Sequence, residues 1–223
     1  MVSFYIYISL LFIMIILMLE GLSLSRFAPI KIRLITIGII LAMIIRYFTL
    51  IILALAYNIR YLYLLKPFFF TNFFAIPILA LTVLYIFLRK DNISFSYIFI
   101  FAILLLGLYV VAIYISTCSV QIAGMNGYTM SLYKNLYIYW AYIGLNTIVL
   151  FLSIMLIMKG TARGVGMTLI IISSLAAIIE LILWFLGIKV LQENIIGDML
   201  WSVTLVYALI RVSKKNFAIS NKR

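Results

Sequence analysis

The stretch that decides the fold is Leu34–Tyr57, LITIGIILAMIIRYFTLIILALAY, an apolar run broken near its middle by one charge, Arg46. A helix needs about 20 mostly apolar residues to cross the hydrocarbon core of a bilayer, and this run is long enough. The rest of the chain offers no polar coat to cover it in water. Of the 223 residues, 68% are hydrophobic and only 10% are charged, with a mean hydropathy of +1.30. Soluble domains are about 25% charged. A soluble fold of this composition would expose large apolar patches and aggregate. The bilayer is the solvent that suits it.

Six further runs meet the same criterion: Val2–Leu19, Pro67–Leu88, Phe95–Thr117, Leu136–Met158, Val165–Ile188 and Ile195–Val212. The last is the shortest and carries Asp198 near its start. The first lacks the positive leading region of a signal peptide, so it is read as a retained helix. The expectation is an all-α, polytopic bundle of seven transmembrane helices over residues 1–212, followed by a basic tail over 213–223. No internal repeat is visible.

The 17 basic residues give this bundle a direction. Arg26, Lys31, Arg33, Arg89, Lys90, Lys159, Arg163, Arg211, Lys214, Lys215, Lys222 and Arg223 fall on one side, 12 in all. Only 4, Arg60, Lys66, Lys134 and Lys189, fall on the other, and Arg46 is inside a span. Cytoplasmic loops carry the excess of Lys and Arg. The split predicts a plasma-membrane protein with its N-terminus outside and its C-terminus in the cytoplasm. An even number of spans would scatter the charges over both faces. Trp140, Trp184, Tyr57, Tyr61, Tyr63, Tyr137 and Tyr139 then fall toward the outer ends of their helices, as an interfacial aromatic belt would place them. Trp201 sits deeper.

The net charge of +12 therefore serves topology, and no basic stripe or recognition motif argues for nucleic acid. There is no histidine and one cysteine, Cys118. That removes the commonest general base, the commonest metal ligand and any intrachain disulfide. No cofactor is called for, and no catalytic constellation assembles. The outer segment Cys118–Asn135, with Gly124, Asn126 and Gly127, is the longest connection. The favoured reading is a solvated turn; the alternative is a cap over an outward-facing cavity. Gly160 and Gly164 read as a turn and a helix start.

Function is sought where the sequence carries a penalty. An arginine at mid-membrane costs about 2.5–3.5 kcal/mol on insertion scales, so Arg46 needs a partner. Glu180 is the first candidate, because it lies about one helical turn from Arg46 in depth on a span of the same direction. Asp198 is the second. On the second span Gly38, Ala42, Arg46, Thr49 and Ala56 share helical spacing. Gly166, Ser173, Ala177, Glu180 and Trp184 do so on the sixth, and Tyr139, Tyr142, Asn146 and Ser153 on the fifth. Pro77 should kink the third span, which also carries Asn72. Arg46, Glu180, Asp198, Asn72, Asn146 and Trp201 are thus expected to converge in the outer half of the bundle. They would form either a ligand site or a network that holds helix register. An arginine at the base of such a pocket suits a small anionic or zwitterionic ligand.

The layout resembles the seven-transmembrane N-terminal sensor region of bacterial histidine kinases and diguanylate cyclases. Ala75–Arg89 (AIPILALTVLYIFLR) is similar to a helix of those regions that opens near a proline and ends aromatic–aliphatic–arginine; Lys66–Asn72 (KPFFFTN) precedes it. No catalytic segment follows the seventh span here, so the resemblance implies a stand-alone sensor that signals to a separate cytoplasmic protein. A small secondary transporter using an Arg46–Glu180 pair is the alternative, and an enzyme acting on lipid ranks third. The isoleucine-rich composition fits a prokaryote.

Overall fold

The computed structural model describes residues 2–56, 58–88, 94–122, 127–132, 136–160, 164–188 and 194–220, with side chains from 4 to 214. Tyr57, Arg89, Lys90, Gly124, Asn126, Lys134, Asn135, Arg163, Lys189, Lys222 and Arg223 lie outside the described residues, as does the side chain of Lys215. Seven helical spans are long and apolar enough to cross a membrane. Their order is α1 (Val2–Ser25), α2 (Ile30–Leu55), the short α3 (Lys66–Phe69) leading into α4 (Asn72–Leu88), α5 (Ser96–Ile115), α6 (Leu136–Met158), α7 (Gly164–Phe185) and α8 (Ile195–Ser220).

The outward faces of these helices are themselves apolar. On α5, Ile100, Ile103, Leu104, Leu108, Val110 and Val111 are all exposed, a surface compatible with contact to a lipid bilayer. Depth in the bundle is unequal. α4 is the central helix and packs against α2, α5, α6, α7 and α8, whereas α5 lies at the periphery against α3 and α4. α8 closes the bundle between α1 and α7. The spans alternate in direction. Lys31 at the start of α2 meets Ser96 at the start of α5 (3.5 Å). At the opposite end Lys66 of α3 donates to the carbonyls of Ile113 (2.6 Å) and Ser116 (2.5 Å) beyond the close of α5.

The third span departs from a single helix over Pro67–Leu88. A 3-10 turn (Leu62–Leu65) and α3 come first, then the chain breaks at Phe70–Thr71 and restarts as α4. The helix runs on through Pro77, so the interruption lies upstream of the expected kink. A proline removes one donor, but its neighbours can be held helical by packing, and Ile76, Pro77, Leu79 and Ala80 are all buried.

The Cys118–Asn135 segment is also more than a solvated turn. Cys118–Ile122 (β1) and Tyr128–Leu132 (β2) pair antiparallel, with Cys118 opposite Leu132 and Ile122 opposite Tyr128. Alternation along β2 sends Met130 and Leu132 into the bundle, 4% and 1% exposed. Ser119 and Ser131 bond across the pair through their hydroxyls (2.8 Å). Gly127 adopts φ +75° at the hairpin tip, directly over the backbone of Leu53 and Ala54 at the end of α2. No other residue type is comfortable there, because a Cβ would stand 2.5 Å from both carbonyl oxygens. Gly160, also at positive φ, makes the turn before α7 as its sequence context implied.

Close helix approach depends on two small residues of α7 and one of α8. A Cβ on Gly166 would strike the Phe87 ring at 2.7 Å, and one on Gly197 would meet Ala177 at 2.9 Å. The proposed stripe on α2 is only partly correct. Gly38 is exposed and Ala42 half-buried, while Arg46 and Thr49 are buried beside Ile39, Met43 and Leu50. Bulk, not smallness, faces inward there. The α6 set holds throughout: Tyr139, Tyr142, Asn146 and Ser153 are all buried.

Candidate functional site

Arg46 lies nine residues from the Leu55 end of α2, about 14 Å at ~1.5 Å per residue. It is 2% exposed. Its Nε donates to Asp198 Oδ2 at 3.0 Å, and its Nη1 donates to the Phe69 carbonyl. That carbonyl becomes available because α3 ends at Phe69, leaving its last oxygens without helical donors. The guanidinium also lies over the Phe69 ring, 5.7 Å from its centroid. The broken span and the buried charge thus satisfy each other.

The partner is therefore Asp198, not Glu180. Glu180 instead reaches across from α7 to the first turn of α8. Its two oxygens accept the backbone N–H groups of Ile196 (3.1 Å) and Gly197 (2.8 Å). A helix N-terminus leaves such donors open and concentrates partial positive charge, so it is a natural seat for a carboxylate. Depth does not say which way a side chain points, and α8 offered it two donors at once.

Asp198 is fully buried, and its second oxygen Oδ1 has no partner among the described residues. The same is true of Asn72 Oδ1 and Trp201 Nε1. Asn146 spends its Nδ2 on the Tyr142 carbonyl one turn back (3.0 Å). Beside the pair, Tyr47 and Ser202 share a hydrogen bond (3.1 Å), and Ser202 also donates to the Asp198 carbonyl (2.8 Å).

A pocket with about 50 Å³ of unfilled space bottoms on Arg46. Its walls are Phe69 and Phe70 at the helix break, Asn72 and Phe73 at the start of α4, Tyr139, Leu181 and Trp184, and Asn194 just before α8. Gln121, Thr129, Met130 and Ser131 of the hairpin form the remaining side. Of the six expected site residues, Arg46 and Asn72 line this pocket. Asp198 stands behind Arg46 as its counter-charge. Glu180, Asn146 and Trp201 are not lining residues.

Tyr139 and Trp184 are not simple interfacial anchors. Tyr139 is 5% exposed; its ring stacks on Trp184 (5.1 Å) and meets Phe73 edge-on (5.2 Å). Its hydroxyl accepts the Leu132 N–H of the hairpin (3.3 Å), tying the aromatic wall to the roof. Trp140, 59% exposed, fits the interfacial description. Nothing in the sequence marked Phe69, Phe70 and Asn194 as lining residues, and although a cap over a cavity was one reading of Cys118–Asn135, its strand pairing and its contributing side chains were not expected. The β-branched and aromatic residues flanking Gly127 were the available signal.

No protein-family model matches the chain, and no curated protein matches it. The site has to be read from its own chemistry.

Proposed function

We propose that the protein is a receptor-like sensory module of the plasma membrane. A small ligand enters the pocket beneath the hairpin, and its occupancy is passed to a separate cytoplasmic protein. The observation that carries this reading is the pocket itself: buried Arg46 at its base, an aromatic wall, and a hairpin roof held by Gly127 and Tyr139. A pocket of mostly apolar walls with a few convergent polar groups is the usual form of a small-molecule site. The orientation is N-terminus out, because the pocket end carries Arg60 and Lys66 while the opposite ends carry Arg26, Lys31, Arg33, Lys159, Arg211 and Lys214. α8 joins the two faces. Asp198 sits at its pocket end and Arg211 and Lys214 at the other. A ligand that altered the Arg46–Asp198 contact would bias that helix, a population shift in which the ligand favours one helix position. The resemblance of Ala75–Arg89 to kinase sensor regions supports the same reading.

One observation favours transport as a second reading. The third span is broken at Phe70–Thr71 beside the pocket, and discontinuous helices at mid-membrane are a common device of transporters.

The two are separated by reconstituting the full chain in liposomes with a panel of monosaccharides, amino acids and phosphocholine. A sensor is stabilised against heat by a ligand, shows no flux, and changes its crosslinking through Lys214. A transporter moves the ligand. Thr129→Trp, which fills the space, should abolish either response. If no compound stabilises the native chain more than that variant, the pocket is not a ligand site.

A further inference from the structure

The chemistry of the pocket narrows what it takes, provided that it is a ligand site as argued above. Arg46 is the cation that lines it, but Asp198 already sits 3.0 Å from its Nε. Glu180, the next carboxylate, is held at the start of α8. An anion entering here would gain Arg46 and meet the field of two carboxylates in a medium where charges are poorly screened. A cation would meet the guanidinium first. Neither sign is favoured.

What is left open is neutral hydrogen-bonding capacity. Asn72 is 3% exposed and borders the pocket, and its Oδ1 has no partner among the described residues. Asn194 is 7% exposed and borders it too, and no described residue hydrogen-bonds its side chain. An amide presents both donors and an acceptor. A buried polar atom left unpaired, as Asn72 Oδ1 is, carries a cost that a suitable ligand would recover. Groups that both donate and accept, hydroxyls above all, match amides best. Phe73, Tyr139 and Trp184, packed ring against ring, line the same pocket. Aromatic faces carry negative quadrupole charge and attract the polarised C–H groups of a saturated ring.

We propose that the pocket selects an uncharged hydroxylated ring, the chemistry shared by a free sugar and the glycosyl headgroup of a lipid, held between Asn72, Asn194 and the Tyr139–Trp184 wall. The space admits one edge of such a ring, so the remainder projects past the hairpin. Asn72 and Asn194 are the specificity-determining residues, and Arg46 orients rather than attracts.

The test uses the full chain in nanodiscs. One arm adds methyl glucoside and methyl galactoside in solution, and a second carries a monoglycosyl diacylglycerol in the disc. Inorganic phosphate and phosphocholine serve as charged controls. Thermal stabilisation and tryptophan fluorescence should respond to a glycoside arm and to neither control, and which arm responds names the source. Asn72→Ala and Asn194→Ala should each weaken the response about tenfold, the loss of one net hydrogen bond. Their unliganded melting should not fall, since no described residue hydrogen-bonds either amide side chain. Stabilisation by phosphate or phosphocholine that Thr129→Trp removes would overturn this selectivity while leaving the pocket a ligand site. Silence in every arm would remove both.

Discussion

Arg46→Met converts the base of the site from a paired charge to an apolar side chain and leaves Asp198 with neither oxygen matched. Asp198 is 0% exposed and Arg46 2%, so the carboxylate loses its cation in a site with little access to solvent. Breaking one side of a buried ion pair costs about 3–5 kcal/mol, mostly from the stranded charge. The Phe69 carbonyl also loses its donor, but hydrogen bonds between membrane helices average only about 0.6 kcal/mol. The stranded carboxylate dominates. Adding Asp198→Leu removes it, so the double variant should recover most of the loss. Adding Glu180→Leu should instead make matters worse by about 1 kcal/mol, because the Ile196 and Gly197 N–H groups lose their acceptor at a helix start. The assay is reversible unfolding in mixed micelles with rising SDS, followed by helical circular dichroism and completed as two double-mutant cycles. A coupling energy of at least about 2 kcal/mol is expected for Arg46 with Asp198, and a markedly smaller one for Arg46 with Glu180, which is bonded to the start of α8 instead. If Glu180→Leu rescues Arg46→Met and Asp198→Leu does not, the assignment of the ion pair is wrong.

Three further substitutions probe the frame around the site. Gly127→Ala forces a side chain into φ +75° and into the backbone of Leu53 and Ala54. The strain alone is about 1–2 kcal/mol, so hydrogen exchange across Tyr128–Leu132 should quicken while total helix content stays constant. Gly197→Ala places a methyl 2.9 Å from the Ala177 backbone, which cannot yield as a side-chain tip can. A loss of about 1–3 kcal/mol is expected in the same SDS titration, and no change would show that α7 and α8 pack less closely. Tyr47→Phe removes the hydrogen bond to Ser202, yet Ser202 keeps its bond to the Asp198 carbonyl. The expected change is near 0.6 kcal/mol, and a drop several times larger would show that the hydroxyl supports the ion pair.

By itself the sequence located seven runs long and apolar enough to cross a membrane, and showed that one buried cation required a partner. These follow from composition and run length, since in hydrocarbon every backbone group must be satisfied within a helix. Run length also gave each of Arg46, Asp198 and Glu180 an expected depth. Depth is an axial coordinate. The direction of each side chain, and which helices are neighbours, come from packing. Tertiary structure therefore decided that Asp198 meets Arg46 while Glu180 caps α8. It also decided the break at Phe70–Thr71, because an apolar run reads as a continuous helix until a donor such as Arg46 takes up the freed Phe69 carbonyl. The hairpin was hidden for a related reason. Its strands are short, and their stability comes from burying Met130 and Leu132 and from seating Gly127 on the end of α2. None of those contacts is local in the chain, and together they turn an arginine in a helix into the base of a roofed pocket.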